Sequence, residues 1–126
     1  MIIPSIDIQD GQAVQLIGGK EKALDAGDPR PLAEVFKLAG EVATIDLDAA
    51  LGRGSNAERI RELLSIAPCR VGGGIRDVDT ALAWLDAGAE KVILGTAARP
   101  DILRQLPRAR VIAALLRDGR NVGVTS

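Results

Sequence analysis

Histidine is absent from the sequence. That removes the side chain that most often moves protons near neutral pH. Ser-His triads, Cys-His dyads and imidazole-based zinc sites go with it. Proton transfer in this chain falls to Asp, Glu, Lys or the single cysteine. That cysteine, Cys69, excludes an internal disulfide and fits a reducing compartment. Aromatics are nearly missing as well, with one Phe, one Trp and no Tyr. Few rings are available to stack on bases, which argues against a single-strand nucleic-acid binder. The net charge is -1, and Lys and Arg are scattered rather than gathered into a stripe. Neither nucleic acid nor an anionic membrane is therefore an expected partner. No apolar run is long enough to span a bilayer, and the amino terminus has no signal-peptide pattern. A cytoplasmic location is the expectation.

What is present is alternation. Of the 126 residues, 47% are apolar, enough to pack the core of one domain over residues 1–126. Short runs rich in Ile and Val recur at Ile2 to Ile8, Val42 to Leu47, Cys69 to Val71, Val92 to Leu94 and Val111 to Leu116. They are apolar on both faces, as buried parallel strands are. Between them lie segments with helical spacing: Pro31 to Ala39, Asn56 to Ile66, Asp77 to Ala87 and Pro100 to Leu106. Start and stop signals frame these helices, among them Asp28-Pro29, Asp77, Gly40, Gly88 and Pro107. Strand-helix alternation of this kind means βαβ units. Four βα units and a fifth strand are half of what a closed (β/α)8 barrel needs, about eight strands and 250 residues. The expected fold is α/β, half of a TIM barrel with a parallel sheet, completed by self-association. An open flavodoxin-like sheet with its own ligand is the less favoured architecture.

Chemistry is expected where strands end. Asp7 lies near the end of the first strand, in IPSIDIQDG, and Asp46 and Asp48 end the second, in TIDLDAALG. Carboxylates at the carboxyl ends of barrel strands line active sites and can serve as acid or base. The plainer reading, that strand-end Asp residues cap loops and turns, is favoured on position alone. Two glycine turns carry more information. Gly72, Gly73 and Gly74 follow the third strand, and Gly95 and Thr96 follow the fourth. Glycine lets backbone N–H groups approach an anion, and a helix start adds partial positive charge. Turns on adjacent parallel strands share one rim, so Gly73, Gly74, Gly95 and Thr96 form a candidate phosphate site. The dinucleotide fingerprint is not matched, because Ile75 and Arg76 follow the glycines and no strand-end acid follows on the next strand. Arg76 either helps to hold an anion or pairs with an acid such as Asp79. Cys69, in a strand and without a histidine, reads as a buried structural thiol, and Trp84 as a packing residue. Asp10-Gly11 makes a turn into a short ribbon over Val14 to Ile17, and Gly18, Gly19 and Lys20 suggest a mobile loop.

These motifs resemble a known family. IIPSIDIQDGQAVQL, IDLDAALGRGSN and RVGGGIRDVDTALAWLDAGAEKVILGTAA are similar to the first half of the phosphoribosylformimino-aminoimidazole-carboxamide ribotide isomerases of histidine biosynthesis. The cyclase subunit of imidazole glycerol phosphate synthase shares the pattern less closely. The resemblance implies an eight-unit barrel with one phosphate site in each half. It also implies an Amadori rearrangement of an aminoaldose to an aminoketose, an intramolecular oxidoreduction without metal or organic cofactor. Asp7 then matches the first acid/base. Gly74, Gly95 and Thr96 match the phosphate turns, and Asp46 and Asp48 the second-strand acidic motif. Some positions depart from the pattern: Gln15 stands for an Arg, Ala43 for a His, and Leu115 for the second carboxylate of the family's A-L-D-x-R, with Asp118 three residues on.

The expected function is thus half of such an isomerase, retaining one phosphate site and inactive alone. The alternative is a non-catalytic phosphate-binding or self-assembling half-barrel scaffold. Partners follow: a phosphorylated sugar-type molecule or inorganic phosphate, and a second copy of the chain. Self-association is expected from two bare sheet edges, the first and fifth strands, and from a wet inner face with Ile3, Ile45 and Val71 as candidates.

Overall fold

A computed structural model describes residues 3–17, 21–117 and 120–125. Its strands are β1 (Ser5–Gln9), β2 (Gln12–Ile17), β3 (Glu21–Gly27), β4 (Val42–Asp46), β5 (Cys69–Gly72), β6 (Lys91–Leu94), β7 (Val111–Arg117) and β8 (Arg120–Thr125). The helices are α1 (Arg30–Phe36), α2 (Leu47–Ala50), α3 (Ala57–Leu64), α4 (Val78–Asp86) and α5 (Pro100–Leu103). All eight strands form one sheet in the order β3-β2-β1-β4-β5-β6-β7-β8. The central block from β1 through β4, β5 and β6 to β7 is parallel. Nothing pairs β3 with β8 among the described residues, so the sheet is open. This is α/β architecture of the half-barrel kind. Among the described residues no helix is long and apolar enough to cross a membrane.

The period of two sorts the strand residues. Ile6, Ile8, Val42, Thr44, Val71, Val92 and Leu94 are buried under the helices. The apolar ones among them meet Ile60 and Leu63 of α3, Ala81 and Leu85 of α4, and Ile102 of α5 in one core. Ser5, Asp7, Ala43, Ile45, Arg70 and Ile93 point to the other face and are not fully buried. Ile3 and Ile45 line a shallow cavity on that open face, as expected. Val71 does not. It is register partner to Thr44 and Val92, so the pleat turns it to the helix side, where it is 1% exposed.

Helix signals in the sequence act as read. The Asp77 carboxylate accepts from the Thr80 N–H at 2.7 Å and caps α4, Pro31 enters the first turn of α1, and Gly88 takes φ +114 after α4. At the amino-terminal end of the block, Glu41 accepts from Arg70 of β5 at 2.7 Å and from Lys91 of β6 at 3.1 Å.

The edges differ from expectation. Asp10 (φ 52) and Gly11 (φ 75) form a left-handed pair of the type that closes hairpins. They return β2 along β1, with Asp7 opposite Val14, and β3 then pairs with β2. At the far side β8 pairs with β7 from Arg117↔Arg120 to Ala113↔Thr125. Neither the first nor the fifth parallel strand is therefore bare. The reason is local: each is followed closely in sequence by a segment that pairs with it antiparallel. Ile2, the Gly18-Gly19-Lys20 loop and Asp118 lie outside the described residues.

Candidate functional site

The parallel register builds one row across the open face. Asp7 is opposite Ile45, Ile45 opposite Gly72, and Gly72 opposite Ile93. Asp7 lines a cavity of about 390 Å³ with Ser5, Ala43, Ile45, Arg70 and Ile93. Burial pushes its carboxyl above the ordinary value of 3.8, and a long 3.4 Å hydrogen bond from the Ser5 hydroxyl opposes this only in part. A second cavity of about 310 Å³ is lined by Gly72 to Arg76, Gly95 and Thr96. The two cavities share Ile45, Ile93 and Ala114 in their walls. The two adjoining cavities make up a trough with an acid of raised pKa at one end and a rim of glycine turns at the other.

The glycines on that rim are there for different reasons. A Cβ on Gly73 (φ +99) would fall 2.3 Å from the Asp46 carbonyl oxygen. On Gly74 (φ +75) it would fall 2.6 Å from the Ala49 Cβ. Both let the loop after β5 press against the β4–α2 junction. Gly95 has no such reason, since a Cβ there would meet nothing within 4 Å and its φ is not left-handed. What its missing side chain leaves open is the trough. Among the described residues nothing accepts a hydrogen bond from the N–H of Gly74 or Thr96.

Asp46 and Asp48 face away from this trough, into a buried network. Asp46 accepts from the Ala49 N–H at 3.0 Å and so caps α2; it also accepts from the Asn56 backbone N–H at 2.7 Å and the Asn56 amide at 2.8 Å. Asp48 accepts from the Asp10 N–H at 2.8 Å, the Asn56 amide at 2.9 Å and Arg53 Nε at 3.0 Å. The Asp10 bond is the main reason its carboxyl sits below the ordinary range, and Asn56 and Arg53 add to it. Asn56 is the hub: its carbonyl also accepts from the Gly11 N–H at 2.8 Å. In the sequence Asn56 is marked only as a helix start, which is the one local signal it gives. Arg76 donates to the carbonyls of Ala49 (3.3 Å) and Ala50 (3.1 Å), closing the end of α2 rather than pairing with Asp79. Cys69 is fully buried, and burial, with Glu90 nearby, pushes its thiol up to about 11. Trp84 lies 5.5 Å from the Arg61 guanidinium.

Residues 1–115 match the model of a family described as histidine biosynthesis protein. The chain belongs to that family. Among curated relatives, the 1-(5-phosphoribosyl)-5-((5-phosphoribosylamino)methylideneamino) imidazole-4-carboxamide isomerase of Gemmatimonas aurantiaca is 39% identical over 95% of this chain and 56% of its own length. The isomerase of the same name from Methanosphaerula palustris is 39% identical, over 94% of this chain and 56% of its own. The one from Xanthobacter autotrophicus is 42% identical, over 95% and 54%. The chain spans about half the length of the curated relatives it matches. Asp7, the glycine turns and the Asp46–Asp48–Asn56 hub all fall within the stretch matched to the histidine biosynthesis family.

Proposed function

We propose that the chain provides the first half-site of an aldose-ketose isomerase of histidine biosynthesis. Asp7 is its acid/base, and Gly74, Gly95 and Thr96 bind one phosphate end of the substrate. The observation that carries this reading is the shared trough, with an acid of raised pKa at one end and open amides at the other. Asp46 and Asp48 act through position: they hold the turn after β1 and the α2 segment on which the Gly73-Gly74 loop rests.

An Amadori rearrangement needs a proton delivered to the sugar ring oxygen and a proton removed from C2. A carboxyl whose pKa burial raises is a better proton donor than an ordinary carboxylate, which suits the first step. Binding a phosphate away from the reacting carbons fixes the sugar against that carboxyl and lowers the barrier by orientation. In the resemblance on which this reading rests, a second carboxylate serves the other proton, and Leu115 occupies its place here. Turnover therefore needs a complementary half carrying that acid and the second phosphate site.

The test is an isomerase assay of the chain alone and mixed with the carboxyl-terminal half of the Xanthobacter autotrophicus relative. Background turnover alone is expected, with activity in the mixture that falls about 10²- to 10⁴-fold in Asp7→Asn. Turnover by the chain alone, abolished in Asp7→Asn, would show that the half-site reading is wrong. An active mixture indifferent to Asp7→Asn would remove Asp7 from the chemistry.

A further inference from the structure

Two isoleucines meet over a glycine on the floor of the trough. Ile45 of β4 and Ile93 of β6 flank Gly72 of β5 in one register row. A Cβ on Gly72 would fall 3.1 Å from Ile45 Cδ1 and 3.1 Å from Ile93 Cβ. Its φ is not left-handed, so the backbone does not demand glycine there. The missing side chain instead makes room for the two isoleucines, which form one apolar bar across β5. Both isoleucines are half-buried, and Ala114 of β7 continues the wall they form.

The bar lies between the two polar ends of the trough. Asp7 is two strands away from Gly72, about 10 Å at the usual strand spacing. Ser5 and Arg70 lie at the Asp7 end, and Arg70 is turned onto Glu41 at 2.7 Å. Arg76 and Thr96 lie at the rim. The lining that the two cavities share is Ile45, Ile93 and Ala114, none of which has a side-chain donor or acceptor. A molecule gripped by its phosphate at the rim and reaching Asp7 lays its carbon chain on that wall. Hydroxyls turned onto the wall lose water and gain no partner, whereas C–H groups gain from leaving water.

We propose that Ile45, Gly72 and Ile93 are a specificity element of this site, which takes phosphate monoesters by the C–H face of the carbon chain next to the phosphate. The inference rests on the phosphate-site reading of the trough and names what that site selects. The first glycine of the turn after β5 then serves the carbon chain, and the rim serves the phosphate.

Titration of the isotope-labelled chain with methyl phosphate and with butyl phosphate tests it, read by NMR at the amides of Gly74, Gly95 and Thr96. Butyl phosphate should bind at least about fivefold more tightly than methyl phosphate, through its added C–H contact. Ile45→Thr keeps the branched shape but puts a hydroxyl on the floor. It should remove most of that advantage and leave methyl phosphate binding within about twofold. Gly72→Ala, which pushes the isoleucines apart, should do the same, with circular dichroism as the control for folding. Equal binding of the two esters by the unmodified chain, or an advantage that survives in both variants, would overturn the proposal and leave the phosphate rim in place. No response to either ester would overturn the rim itself, and this inference with it.

Discussion

Asp7 owes its raised pKa to burial, since its one side-chain partner, Ser5, acts in the opposite direction. A carboxyl whose pKa rises on folding binds its proton more tightly in the native state. Its contribution is therefore favourable in acid and is lost as pH rises from 3.8 through the folded value. Asp7→Asn should raise the melting temperature slightly at about pH 7 and leave it unchanged at about pH 3, as read by thermal denaturation across pH. A melting temperature that falls at neutral pH would mean that the charged form is stabilised. Asn56 works the other way. Truncation to Ala strands buried acceptors on Asp46 and Asp48 and the Gly11 donor, and should cost about 1–3 kcal/mol in urea unfolding. The contrast marks what one sequence reveals about residues. Asp7 could be singled out as a candidate from its place at a strand end. Asn56 could not be found as a hub, because its partners Ile8 and Gly11 lie 48 and 45 residues away in the chain.

The turn after β5 and the turn after β6 look alike in sequence and differ as elements. Gly73→Ala places a methyl on a backbone carbonyl at left-handed φ and should destabilise by about 2–4 kcal/mol. Gly95→Ala meets open space and should change stability by less than about 0.5 kcal/mol. Chemical denaturation of the two variants decides it, and equal costs would contradict the packing argument. The five parallel strands and four crossover helices could be read from the sequence because Ile and Val runs alternate with 3.6-residue spacing. The antiparallel additions were harder. β2 was visible through Asp10-Gly11 and its apolar residues. β3 contains Glu21, Lys22 and Asp25, and β8 contains Arg120, Asn121 and Gly123; polar strands of this kind lack the apolar run that announces a strand. Missing them led to the expectation of bare edges.

Across the whole molecule, the fold brings an acid from β1 and the turns after β5 and β6 into one trough, although these residues span positions 7 to 96. Strand-end positions made that gathering readable, because parallel strands bring every βα turn to one rim. Which glycines are held by packing and which leave room for a ligand was not readable, since it depends on the β4–α2 junction lying behind Gly73 and Gly74. Phosphate binding at the glycine rim is the proposal that every functional statement needs, and it can be tested on the chain by itself. The measurement is a titration of isotope-labelled chain with inorganic phosphate, followed by amide NMR. The amides of Gly74, Gly95 and Thr96 should shift together and saturate at millimolar phosphate, and Gly95→Val should abolish the response while leaving the remaining spectrum folded. Silence at these three amides, or an unchanged response in Gly95→Val, would contradict the account.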